Sequence, residues 1–227
     1  MVRIIVQNIN TFSDGEYESF RQMISKDKLE RIDRFKHSCD YKRSLLADVI
    51  SRKMMESETG IPSKQLDISV DEFGKPFVKN AENIFFNVSH AGDYVACIIS
   101  DKPCGIDIEE VNGQAHIDIA KRFFNEEEYN YLLTLPEENK SSAFFELWTA
   151  KEAYTKYLGK GIVIGLDTFI LRKSSEGFDV FVDGVCKARV ITKDIAANYI
   201  LSFVCDATFA ANPEIDVFTF AGANSCL

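Results

Sequence analysis

The 227 residues predict an α+β fold. Three observations carry this. Apolar residues recur at helical spacing in some stretches and cluster as in strands in others. The two patterns also follow a mixed order, not a regular βαβ alternation. Arg3 to Asn8 opens as a short strand. Ser25 to Phe35 reads as a helix, because Leu29, Ile32 and Phe35 recur every three residues with Lys28 and Arg31 on another side. A second helix is expected over Tyr41 to Glu58, where Leu45, Leu46, Val49, Ile50 and Met54 keep helical spacing, with Gly60 and Pro62 as the stop. Gln65 to Val70 is read as a strand and Phe73-Gly74-Lys75-Pro76 as a turn. Ile84 to His90 and Tyr94 to Ser100 form a hairpin around Ala91-Gly92-Asp93. Gly105 to Glu110 is a short strand, followed by helices over Ile117 to Phe124, after Asn125, and over Ser142 to Leu158. Strands are expected at Thr168 to Arg172, Phe178 to Val182, Cys186 to Thr192 and Tyr199 to Cys205; nothing is assigned to Ala207 onward.

Composition bounds the function. Apolar residues make up 46% and charged residues 27%, the balance of a globular protein rather than a disordered chain or a disulfide-stapled miniprotein. The longest apolar runs fall far short of the ~20 residues that span a bilayer. The polar turn in MVRIIVQNIN lacks a signal-peptide core. A cytoplasmic protein without membrane association is the expectation. Six scattered cysteines, several inside apolar runs, read as reduced core thiols. With three histidines, no paired cysteines and no H-E-x-x-H, zinc is not expected. A net charge of −9 argues against nucleic acid as partner. Against that acidity, Arg21 to Lys53 holds ten Lys/Arg and five Asp/Glu. Such an island is either a solvated helix face or a site for a specific anion.

Local motifs carry the chemistry. In Gly105-Ile106-Asp107-Ile108-Glu109, strand alternation puts Asp107 and Glu109 on one face and both isoleucines on the other. Paired carboxylates suit Mg²⁺ bound through oxygen, or simply a solvent-facing edge strand. Trp148, Glu152 and Lys156 are spaced by four along one helix face. There they form an ordinary Glu–Lys pair over a packed Trp, or a metal ligand beside a phosphate contact. Phe86-Asn87-Val88-Ser89-His90 sets Ser89 and His90 on opposite faces of a strand, which disfavours a nucleophile–base dyad. They fit better as donors to an anion or as structural residues. Neither a dinucleotide fingerprint nor a G-K-[ST] phosphate loop is present.

The ordered set G-K-P, F-N-V-S-H, G-I-D-I-E and W-T-A-K-E-A-Y-T-K resembles the 4′-phosphopantetheinyl transferase superfamily, in its surfactin-synthetase-activating, single-chain type. The resemblance runs from about Lys28 to Gly161. It implies two similar α+β halves, residues 1–103 and 104–227, forming a pseudo-dimer within a monomer, with coenzyme A between them. It further implies transfer of the 4′-phosphopantetheine arm of coenzyme A to a serine of an apo acyl or peptidyl carrier protein, as in antibiotic biosynthesis, with release of 3′,5′-ADP. By matched motifs, Asp107, Glu109 and Glu152 would bind Mg²⁺, and Lys156 would contact the pyrophosphate and assist the leaving phosphate. Lys28, Arg31, Arg43, Lys75, Ser89 and His90 would hold coenzyme A. Glu128 would be the general base, although Asn125 and Glu128 also have capping-box spacing. Two other readings compete: a coenzyme A or carrier-protein binding module without catalysis, and a metal-dependent phosphohydrolase.

Overall fold

A computed structural model describes residues 1–161, 164–205 and 215–216. The chain divides into two compact units, the main break falling between Lys102 and Pro103.

The first unit begins with strand β1 (Val2–Asn8) and helices α1 (Asp14–Arg21), α2 (Lys26–Ile32) and α3 (Ser38–Thr59). The short pair β2 (Ile68–Val70) and β3 (Pro76–Val78) follows, then the hairpin β4 (Phe85–Ala91) and β5 (Tyr94–Ser100). A four-stranded sheet has the order β11-β1-β5-β4, where β11 (Ile215–Asp216) lies parallel to β1 and the other pairs are antiparallel. Alternation on β5 aims Val95, Cys97 and Ile99 at one core. Leu45, Leu46, Val49, Ile50 and Met54 of α3 supply the helical stripe of that core.

The second unit opens with β6 (Cys104–Glu110), then α4 (Ile117–Phe123), α5 (Glu126–Thr134) and α6 (Glu137–Leu158). Strands β7 (Ile170–Ser174), β8 (Gly177–Val182), β9 (Val185–Ala196) and β10 (Tyr199–Cys205) complete it. Its five-stranded sheet is antiparallel throughout, in the order β6-β10-β9-β8-β7. Phe144, Leu147, Ala150, Ala153 and Tyr154 of α6 enter a core shared with Val180, Val190, Ile200 and Val204 of the sheet. Residues 71–75 group with this unit rather than with the strands that flank them.

The expected α+β class holds. The differences are one unexpected helix and the edges of several elements. Helix α1 was not anticipated, although Ser13 and Glu16 form a capping box at its start. Residues 65–67 are not strand, because Ser63–Gln65 is a 3₁₀ turn and pairing begins at Ile68. Pro76 starts a strand rather than ending a turn, since an edge position tolerates its missing N–H. Helix α6 begins at Glu137, behind Pro136, a turn earlier than the apolar periodicity indicates.

Candidate active site

Strand β6 and helix α6 build the cluster. Gly105, Asp107 and Glu109 alternate onto the face of β6 that meets α6, while Ile106 and Ile108 are buried on the other. Two residues of strand advance ~6.6 Å, close to the ~6 Å of four helical residues, so the two series can run side by side. Gly105 permits the close approach: a Cβ there would overlap the backbone of Ala153 and Tyr157. Lys156 Nζ then lies 2.6 Å from Asp107 Oδ1, and Trp148 Nε1 donates to Glu109 Oε1 at 3.1 Å. Glu152 stands between Trp148 and Lys156 on the same helix face. The Trp148 ring stacks on Phe144, which fixes the indole from behind.

Electrostatics mark the carboxylates as crowded. Burial, reinforced by the negative charge of Asp107, pushes the Glu109 carboxyl up to about 7. The same causes raise Glu152, with Lys156 opposing. Among the described residues, no three His, Cys, Asp or Glu side chains already converge as a metal cage. The donor chemistry does fit a hard divalent cation: Asp107, Glu109 and Glu152 are oxygen donors that repel one another, and a cation would relieve that cost.

The other anticipated residues fare differently. Lys28 is half-buried and Arg31 exposed on α2, in the first unit. Of the basic island, Arg21, Lys42, Arg43, Arg52 and Lys53 have carboxylate partners at Asp33, Asp14, Asp40, Asp48 and Glu56. The remaining cations (Lys26, Lys28, Arg31, Arg34 and Lys36) therefore concentrate on α2 and the turn after it. Arg43, expected at coenzyme A, instead has its guanidinium between the Gly92 carbonyl and Asp40. On β4, Ser89 is buried and His90 exposed, the opposite-face arrangement expected of strand neighbours. Lys75 spends its ammonium on backbone carbonyls at the end of α6, and burial holds its pKa below the ordinary lysine value.

Glu128, expected as general base, is committed to the fold. Its Oε2 accepts from Asn125 N at 3.0 Å and faces Lys151 Nζ at 2.8 Å, while Oε1 accepts from Leu171 N at 2.8 Å. About 2% of its side chain is exposed, at the edge of a cleft also lined by Tyr131, Glu146 and Leu147. Lys151 is the residue that sequence reasoning passed over. It is wholly buried, donates also to the carbonyls of Leu166 and Phe169, and lies 4.3 Å from the centre of the Phe169 ring. Burial pushes Glu128 up and Lys151 down from their usual values, and their mutual attraction opposes both shifts.

Comparison with known proteins agrees with this architecture. Residues 103–203 match the family model described as the 4′-phosphopantetheinyl transferase superfamily, and residues 11–102 match the 4′-phosphopantetheinyl transferase N-terminal model. The 4′-phosphopantetheinyl transferase psf-1 of Bacillus pumilus is 38% identical over 162 residues, covering 71% of this chain and 69% of that protein. The transferase Sfp of Bacillus subtilis (strain 168) is 36% identical over 165 residues, 73% of each chain. The transferase gsp of Aneurinibacillus migulanus is 40% identical over 151 residues, 66% of this chain and 62% of its own. A 38% identity sustained over more than two thirds of both chains, with two family models tiling residues 11–203, makes this chain a member of the 4′-phosphopantetheinyl transferase superfamily.

Proposed function

We propose that the cluster of Asp107, Glu109, Glu152 and Lys156 is the centre at which this transferase moves the 4′-phosphopantetheine arm of coenzyme A to a serine of an apo acyl or peptidyl carrier protein. The observation that carries the reading is the 2.6 Å contact of Lys156 with Asp107, which joins the carboxylate strand to the W-T-A-K-E helix. In the transfer, the serine Oγ bonds to the phosphorus that bears pantetheine. The bond from that phosphorus to the bridging oxygen breaks, and 3′,5′-ADP leaves. The serine proton needs an acceptor, and the leaving phosphate needs its charge neutralised.

Asp107, Glu109 and Glu152 are the residues that would hold Mg²⁺. When bound, the ion supplies charge neutralisation on the diphosphate. Lys156 would serve the leaving phosphate, a role supported by its partial exposure beside Asp107. Glu152, on the helix face of Lys156 and beside Asp107, is the candidate acceptor for the serine proton, while Glu128 is buried against Lys151. Lys28 and Arg31, with Ser89 and His90, supply cationic and donor groups for the phosphates of coenzyme A. The chain acts in this reading as a monomer.

The test is the intact mass of an apo carrier protein incubated with the chain and coenzyme A, with Mg²⁺ or with chelator. A Mg²⁺-dependent gain of one phosphopantetheine arm is expected. Binding of coenzyme A without gain on acyl or peptidyl carriers would convert the reading to a binding module. Free phosphopantetheine formed without a carrier would convert it to a hydrolase.

A further inference from the structure

The turn that carries Lys75 is built to hold its shape. Asp71 Oδ1 accepts from Phe73 N and Lys75 N, each at 2.9 Å, and Gly74 N donates to the Asp71 carbonyl at 3.0 Å. Gly74 adopts a φ of 84°, open to glycine at little cost, and Pro76 restricts the backbone of Lys75 from the other side. From this base the side chain reaches the end of α6. Its Nζ donates to the carbonyls of Lys156 at 2.6 Å, Tyr157 at 3.3 Å and Cys104 at 3.3 Å. Its stem runs beside Gly159, where a Cβ would come within 3.1 Å of Lys75 Cδ.

The recipients are groups that an α-helix cannot satisfy by itself. The last four carbonyls of a helix lack partners one turn on. Here Gly159 N, in the left-handed cap, closes on Thr155 O at 3.1 Å, and Lys75 takes the next two carbonyls in line. A cation at a helix C-terminus also lies favourably in the helix dipole. Its third recipient, Cys104, is the first residue of β6. An ammonium has three protons and no acceptor. Three carbonyls use them, which leaves no donor for a phosphate.

We infer that Lys75 is a positioning residue for the transfer: its ammonium clasps the last turn of α6 to the start of β6 and so fixes the register in which Lys156 meets Asp107. The inference rests on the transferase reading of that centre. It assigns the lysine of the G-K-P motif to the enzyme's own backbone rather than to coenzyme A.

Lys75→Met keeps the stem and removes the clasp. The chain has one tryptophan, Trp148, bonded to Glu109 across the same helix–strand seam, so its emission reports the register without any turnover. The expected result is a kcat lower by about tenfold, a coenzyme A KM within about threefold of wild type, and a shifted Trp148 emission. Lys75→Arg, which keeps a cation with donors, should recover part of the kcat and the original emission. A KM raised by about tenfold at unchanged kcat and unchanged emission would overturn the inference and make Lys75 a ligand contact. No change in kcat and emission would overturn it as well. If Lys75→Met does not fold, Lys75→Gln is judged by the same criteria. A wild-type chain inactive on every carrier would sink the transferase reading, while the emission would still decide the clasp.

Discussion

Lys156 Nζ lies 2.6 Å from Asp107 Oδ1, and this one contact binds together residues 49 positions apart. Each belongs to a motif that is weak in isolation. A cation held against one carboxylate, with two more nearby raised by burial and repulsion, is an arrangement ready to receive a diphosphate and its metal. Lys156→Met should lower kcat by about 10²-fold, the typical loss for removing one transition-state charge contact. Asp107→Asn should abolish the response to added Mg²⁺. Initial rates of carrier modification across a Mg²⁺ titration check both, and an unchanged rate for either variant removes that residue from the centre.

Gly105 sets how near α6 can come. Because a Cβ at this position would strike the backbone of Ala153 and Tyr157, no rotamer adjustment relieves the clash. Gly105→Ala should cost at least ~1–3 kcal/mol in urea unfolding, as overpacked cores do, and should reduce turnover by moving Lys156 from Asp107. A variant of wild-type stability would mean that the helix shifts freely.

The buried Glu128–Lys151 pair yields a cycle of variants. Glu128→Ala strands a buried ammonium and should destabilise the chain by about 3–5 kcal/mol. Glu128→Leu combined with Lys151→Met should recover much of that loss, because two buried charges vanish together. Glu128→Gln retains one acceptor, enough for the cap at Asn125 but not also for Leu171 N, so it should lose some stability and leave kcat near wild type once folded. A large fall in kcat for a stably folded Glu128→Gln would restore Glu128 as the base.

Thiol reactivity follows burial. Cys104 and Cys205 are pushed up to about 12 by burial, from an ordinary 9.0, and Cys97 is driven higher for the same reason. At pH 8 the thiolate of Cys104 or Cys205 is then about a thousandfold scarcer than that of an ordinary thiol. Cys39 and Cys186 are exposed. In a Cys226→Ser background, since Cys226 lies outside the described residues, a thiol reagent should label Cys39 and Cys186 first. Fast labelling of Cys97 in the native protein would contradict the packing of β5 against α3.

Much of this is legible in the sequence. Helical spacing located α3, where Leu45 to Met54 face the core, and strand alternation placed Asp107 and Glu109 together. Residues whose partners are distant in sequence were harder. Lys151 is a charged residue on a helix, which ordinarily means solvent, and only the fold brings Glu128, Leu166 and Phe169 around it. For Arg43 and Lys75, expected at coenzyme A, a string of letters does not show the Asp40 carboxylate and Gly92 carbonyl at the one or the three carbonyls at the other. Helix α1 was missed for a different reason. Its capping box was present at Ser13 and Glu16, but Gly15 inside the first turn weakens the helical signal.

The path of the chain has a consequence for its dissection. Residues 71–75 are lent to the second unit from within the first, and β11 returns to pair with β1 after the second unit has been traversed. A single nick at Lys102–Pro103 therefore cannot separate two self-sufficient pieces. The upstream fragment would lack a border strand of its sheet, and the downstream fragment would lack the lysine that closes its longest helix. Complementation from two fragments cut there would have to exchange both loans, whereas a cut in an exposed turn such as Asp183-Gly184 spares each of them.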